Sequence, residues 1–211
     1  MRGLRRLRAA VQAGRPEGGM SMETKNVMIV GVGGQGTLLT SRILGGITVA
    51  AGYDVKLSEV HGMAQRGGSV VTYVRFGDKV YSPIIDKGGA DIIVSFEKLE
   101  AARYASFLKK CGKIVVNTQQ IDPMPVIIGA AEYPENCLTE LKDKNVDIDE
   151  LDALSLAEQA GSSKAVNIVL MGKAAKYFDI PYEKWIKAIE NTVKEKFVEM
   201  NKKAFDLGYN S

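Results

Sequence analysis

The chain has 211 residues, of which 45% are hydrophobic and 25% charged. That is the size and makeup of one globular domain with a small appendage, and it excludes whole-chain disorder or a collagen-like repeat. Two cysteines and a single histidine are too few for a disulfide framework, a conventional iron–sulfur cluster or a histidine-rich metal site. No run approaches the roughly 18 uninterrupted apolar residues of a membrane-spanning helix.

The formal net charge of +3 is unevenly placed: five arginines against Glu17 give residues 1–21 a charge of +4, which leaves the remainder at −1. A near-neutral body gives no reason to expect nucleic acid or a membrane as partner. The Arg- and Gly-rich start is open to three readings: a targeting peptide, a basic arm, or an upstream extension that buries nothing. The last is the simplest, so residues 1–22 are expected to be a disordered basic extension and 23–211 a single domain.

The body opens on the apolar run Val27-Met28-Ile29-Val30, the glycine-rich Gly31-Val32-Gly33-Gly34-Gln35-Gly36, and then Thr37 to Ala51, with apolar residues at helical spacing and Gly52 as terminator. This predicts strand, glycine loop and helix. Tyr53 to Val60 reads as a second strand. Ser69 to Phe76 alternates in polarity and, with a turn at Gly77-Asp78, predicts a β-hairpin into Lys79-Val80-Tyr81. Further strands are expected at 90–96, 113–118 and 126–129, with a helix from Glu97 to Lys110 and a helical stretch from about Leu156 onward. Strands alternating with helices imply an α/β fold: a mainly parallel, Rossmann-like sheet with helices on both faces, an inserted β-hairpin and a helical C-terminus.

Residues 31–36 fit G-x-G-x-x-G in its proper setting. Gly31 would allow a tight exit from the strand, Gly33 close approach of backbone to a ligand, and Gly36 close helix–strand packing. The free amides at the helix start favour an anion. A phosphate-bearing ligand and a purely structural loop both remain open, because the candidate ribose acids, Asp54 and Glu59, are not well placed for a dinucleotide. The segment His61-Gly62-Met63-Ala64-Gln65-Arg66-Gly67-Gly68 leaves the second strand on the same expected side as the glycine loop. Arg66 could grip a phosphate or carboxylate in two-point fashion, or pair with a local acid; His61 could contact a ligand or merely pack.

Three stretches together, GVGGQG at 31–36, SEVHGMAQRGGSVVTYVRFG at 58–77 and SKAVNIVLMG at 163–172, resemble the gamma-type subunit family of 2-oxoacid:ferredoxin oxidoreductases. The HGMAQRGG form is most similar to its indolepyruvate branch, where this is the small (beta) subunit. The resemblance spans about residues 25–208 and leaves the N-terminal stretch outside. It implies a cytoplasmic subunit of a complex that oxidatively decarboxylates an arylpyruvate, passes the acyl group to coenzyme A and reduces ferredoxin. It also implies a large partner subunit, in a heterodimer or heterotetramer, holding thiamine diphosphate, Mg and the iron–sulfur clusters. This chain would hold none of these, and no residue of it is assigned a catalytic role.

Cofactor-facing contacts implied for this chain are Gly31, Gly33, Gly34, Gln35, Gly36, His61, Gln65, Arg66, Gly67 and Asn167. Asn167 would touch the glycine-loop region or the partner, or else cap its helix. The competing expectation is a free-standing Rossmann-like nucleotide-binding or NAD-dependent protein. Cys111, just before a buried strand, is expected to be a small hydrophobe, with a redox role for Cys137 disfavoured because no second cysteine is near in sequence. In the C-terminal helix, Phe197, Met200 and Phe205 are expected to pack inward.

Overall fold

The computed structural model describes residues 23–62 and 67–211; the expectation for residues 1–22 and the contacts proposed for Gln65 and Arg66 fall outside them. Six strands form one sheet in the order β2-β3-β1-β4-β5-β6. They are β1 (Lys25–Val32), β2 (Asp54–His61), β3 (Ser69–Gly77), β4 (Ala90–Ser95), β5 (Leu108–Asn117) and β6 (Asp147–Leu151). The pairings β1–β4, β4–β5 and β5–β6 are parallel, whereas β3 runs antiparallel to both β1 and β2. Five strands therefore point one way and only β3 is reversed, which is the mainly parallel α/β sheet expected.

The period-2 alternation of the apolar runs makes two cores. Val27 and Ile29 of β1, Ile92 and Val94 of β4, and Val74 and Phe76 of β3 face one side of the sheet. Met28, Val30, Ile93 and Val71 face the other. The first face is covered by α1 (Thr37–Ala50) and the C-terminal helices α5 (Ala153–Ala160), α6 (Val166–Ala175), α7 (Tyr182–Thr192) and α8 (Val198–Tyr209). The second carries α2 (Lys98–Tyr104) and α4 (Cys137–Asp143). The innermost helix is α6, every residue of which is buried.

Several expectations are corrected. The hairpin is β2–β3, not β3 with 79–81, because both edges of β3 are already occupied by β1 and β2. Val80 instead tucks in by donating its N–H to Asp54 Oδ2 at 2.9 Å. The strand expected at 126–129 is a short helix, α3 (Met124–Ile127), entered through Pro123 and closed at Gly129 with φ 74. Prolines at its start pre-set helical φ, and β6 takes the free edge of β5 that such a strand would need. The polar stretch at β6 gave no strand signal.

The helix from Glu97 ends at Tyr104, and β5 begins at Leu108. Cys111 is exposed in the left-handed region at φ 65, while Cys137 is buried. Phe205 is buried but Phe197 is 43% exposed.

Candidate functional site at the carboxyl edge of the sheet

The strand register brings the glycine loop and the histidine segment together. His61 pairs with Val70 and Val70 with Gly31, so the three lie side by side on β2, β3 and β1. Two strand spacings put the His61 and Gly31 backbones about 10 Å apart. The chain closes across this edge: Gly33 N–H donates to Gly68 O at 2.8 Å, and Gly67 N–H reaches Gly33 O at 3.5 Å. At the other end of the loop, a Cβ on Gly36 would meet the Asn167 side chain at 3.0 Å. Asn167 is buried at the start of α6, and its Oδ1 accepts from Ile168 N–H at 3.0 Å. The three sequence motifs thus converge on one loop.

Inside that loop Gln35 is a brace. Its Oε1 accepts from Val32 N–H at 2.7 Å, and its Nε2 donates to Phe96 O at 3.1 Å and Gln119 Oε1 at 3.3 Å. Gly31 has no room for a side chain, since a Cβ would lie 2.9 Å from Phe96 Cβ. Gly34 and Gly36 have φ 104 and 90, a conformation that only glycine adopts without strain. The Gly33 amide is itself bonded to Gly68 O, so a ligand that comes close to Gly33 meets other backbone atoms. Gly36 serves a helix–helix contact with α6 rather than helix–strand packing.

Gly34, His61 and Gly67 are exposed at this edge. Helix α1 starts here from Gly36, which has no side chain to cap it, and its first turn holds no acidic residue; such a helix end favours an anion.

Beside the loop lies a buried polar cluster that sequence reasoning missed. Glu97, 1% exposed, caps α2 through Glu100 N–H at 2.9 Å and also accepts from Ile121 N–H at 3.3 Å and from the Tyr133 hydroxyl. Burial and the bond to Glu97 push the Tyr133 phenol far up. Glu100 is buried too; it accepts from the Ser69 hydroxyl and from Arg103 Nε at 3.1 Å. Burial nevertheless raises the Glu100 carboxyl above its ordinary range. Burial, with the charge of Glu97, also pushes the Cys137 thiol up, which disfavours its thiolate. The sequence signal was available: an acid directly after a buried strand and three residues before another glutamate is a helix-start pattern.

For a dinucleotide, the sheet offers little. Asp54 sits at the amino end of β2, held by Lys56 at 2.5 Å and Val80 N–H, and Glu59 receives Thr72 Oγ1 at 3.5 Å. Among the described residues no group of three or more His, Cys, Asp or Glu is placed to hold a metal ion, and no helix is long and apolar enough to cross a membrane.

An open α/β sheet whose carboxyl edge carries a braced glycine loop and a closing glycine segment defines a domain of the Rossmann-like class. Residues 26–211 match the family model described as pyruvate ferredoxin/flavodoxin oxidoreductase, and the chain belongs to that family. It is 44% identical over 189 residues to "Indolepyruvate oxidoreductase subunit IorB" of Archaeoglobus fulgidus, covering 88% of this chain and 94% of that one. The subunit of the same name from Pyrococcus horikoshii is 43% identical over 194 residues, 89% of this chain and 95% of the relative. Among solved structures, the gamma subunit of a keto/oxoacid ferredoxin oxidoreductase from Geobacter sulfurreducens matches with a TM-score of 0.66 at 22% identity, covering 88% and 96% of the two chains. The 2-oxoglutarate:ferredoxin oxidoreductase of Magnetococcus marinus matches at TM-score 0.68 and 19% identity, over 89% of this chain and 31% of that one.

Proposed function

We propose that this chain is the small subunit of an indolepyruvate:ferredoxin oxidoreductase, working only inside a complex. The observation that carries the reading is identity of more than two in five residues, over nearly the full length, with IorB subunits of two archaea. In this reading an arylpyruvate is oxidatively decarboxylated, its acyl group goes to coenzyme A and its electrons to ferredoxin. Thiamine diphosphate, Mg and the clusters belong to a large partner subunit.

The donor set of this chain fits that division of labour. Cys137 is buried among Glu97, Tyr133 and Leu138 near the carboxyl edge. Cys111 is exposed beside Lys25 and Lys113 at the amino edge. The two thiols lie toward opposite ends of the sheet and cannot share a cluster.

The part assigned to this chain is the carboxyl-edge face. Gly31, Gly33, Gln35, Gly36 and Asn167 hold the loop rigid, while Gly34, His61, Gln65, Arg66 and Gly67 meet the partner or the anionic end of coenzyme A. The uncapped start of α1 supports an anion there. The test is to produce the chain with and without its large subunit and follow viologen or ferredoxin reduction with indolepyruvate and coenzyme A. Activity should require both chains and should exceed that with pyruvate or 2-oxoglutarate. Equal activity without this chain, or a preference for pyruvate, would overturn the reading.

A further inference from the structure

The opposite, amino edge of the sheet carries a second feature that the proposed function does not use. A cleft of about 700 Å³ opens there, within the range of small-molecule sites. Its floor and walls are aromatic. Tyr53 packs on the buried Phe76 with ring centroids 6.0 Å apart, and Phe76 packs on Phe178 at 6.3 Å. Tyr53 and Phe178 are half-buried and both line the opening.

The rim is basic. Lys109 and Lys113 are answered by Asp91 at 3.3 Å and Asp147 at 2.6 Å. Lys25 and Lys110 also line the cleft, are exposed, and have no ion pair or side-chain hydrogen bond among the described residues. Asp179 in the lining and Glu23, which acts on the charge of Lys109, stand nearby without pairing with either lysine, so two unpaired ammonium groups lie beside flat apolar walls.

The rim is shaped by an irregularity in the sheet. Ala90 pairs with Leu108 and Ile92 with Lys113, so residues 109–112 span the single residue Asp91. That bulge re-aims Lys110 and Cys111 toward the cleft, with Cys111 held at φ 65.

We propose that this cleft binds a small ligand in which an anionic group is carried on a flat aromatic ring. The ring lies along Tyr53 and Phe178, and the anion meets Lys25 and Lys110. Both halves are needed: stacking alone is weak, and two exposed lysines at an open rim hold a bare anion poorly. Affinity should be modest, with a Kd of roughly 0.1–1 mM. Two sources supply this chemistry, a nucleotide and an arylcarboxylate, and the test separates them.

Cys111 serves as the reporter, because it lines the cleft and is exposed while Cys137 is buried. The full-length chain is alkylated with the uncharged reagent iodoacetamide, and Cys111 modification is followed by mass spectrometry. Parallel samples contain about 5 mM AMP, indole-3-acetate, adenosine or inorganic phosphate, at constant ionic strength. AMP or indole-3-acetate should slow modification by about five-fold or more; whichever does so identifies the source. Adenosine and phosphate should each protect far less.

The ratio is then measured in a Lys25→Ala/Lys110→Ala variant, where any change in intrinsic thiol reactivity cancels. Protection should fall to under half its wild-type value. Absence of protection by both aromatic anions would overturn the proposal. So would equal protection by phosphate alone, or undiminished protection in the double variant.

Discussion

The crossing of α6 and α8 makes a sharp test of the packing. An added Cβ on Gly208 would lie 1.9 Å from Val169 O, and one on Gly172 would lie 2.1 Å from Phe205 O. The obstacles are main-chain atoms of the facing helix, so no rotamer change relieves them. The helices would have to part by roughly 1.5 Å to restore ordinary contact, and α6 is buried throughout. Overpacking of this kind costs about 1–3 kcal/mol or somewhat more, against a gain of about 0.4–1 kcal/mol for replacing glycine by alanine in a helix. A net loss of about 2 kcal/mol corresponds to a fall in Tm of roughly 4–8 °C for a chain of this size. Gly46, in α1, is the control: nothing lies within 4 Å of its added Cβ, so Gly46→Ala should keep or raise Tm. Thermal unfolding followed by circular dichroism measures all three variants. If Gly208→Ala melts at or above the parent, or Gly46→Ala loses as much, the helix-crossing argument is wrong.

Three other outcomes are expected. Gln35→Ala removes the bonds to Val32, Phe96 and Gln119 and should lower stability in urea by about 1–3 kcal/mol. Gln35→Glu should be at least as damaging, because it sets a carboxylate against the acceptor Phe96 O; a neutral result for both would remove the brace role. Tyr133→Phe takes one donor from the buried Glu97 and should cost about 1–3 kcal/mol in the same assay, whereas an unchanged midpoint would mean that Glu97 is satisfied without it. Glu100 has a folded-state pKa raised by burial above its ordinary 4.5. The native state therefore keeps a proton that the unfolded chain has lost, and the stabilisation is complete below the ordinary value and disappears as pH rises through the raised one. Glu100→Gln should flatten that decline in urea midpoints measured from roughly pH 4 to 8; parallel profiles would rule the group out.

Where period and punctuation coincide, the sequence was readable. Val27 to Val30 alternates between the two cores as a central strand must, and Gly36 and Gly52 bracket α1 as left-handed residues. What was lost depended on neighbours. Residues 79–81 have strand-like composition but no free edge to join. Residues 126–129 are apolar and β-branched, yet Pro123 and Pro125 start a helical turn and β6 occupies the edge. The strand β6 is polar because it lies at the margin of the sheet. Cys111 misled because local hydropathy cannot see a four-residue bulge opposite Asp91.

The same distinction governs the site. A glycine pattern reports backbone conformation directly, since φ 104 at Gly34 and φ 90 at Gly36 exclude most side chains whatever the loop faces. It reports a ligand only through amides left unpaired, and that depends on residues far away in sequence. Gly68, 35 positions on, takes the amide of Gly33, while Gln35 turns its side chain inward to Phe96 and Gln119. Asn167 from the third motif fills the space over Gly36. Half of the pattern is thus committed to joining three distant segments of one domain. What it leaves outward is the exposed Gly34 and the start of α1, the part of the loop to which the proposed contact with a partner or an anionic co-substrate is confined.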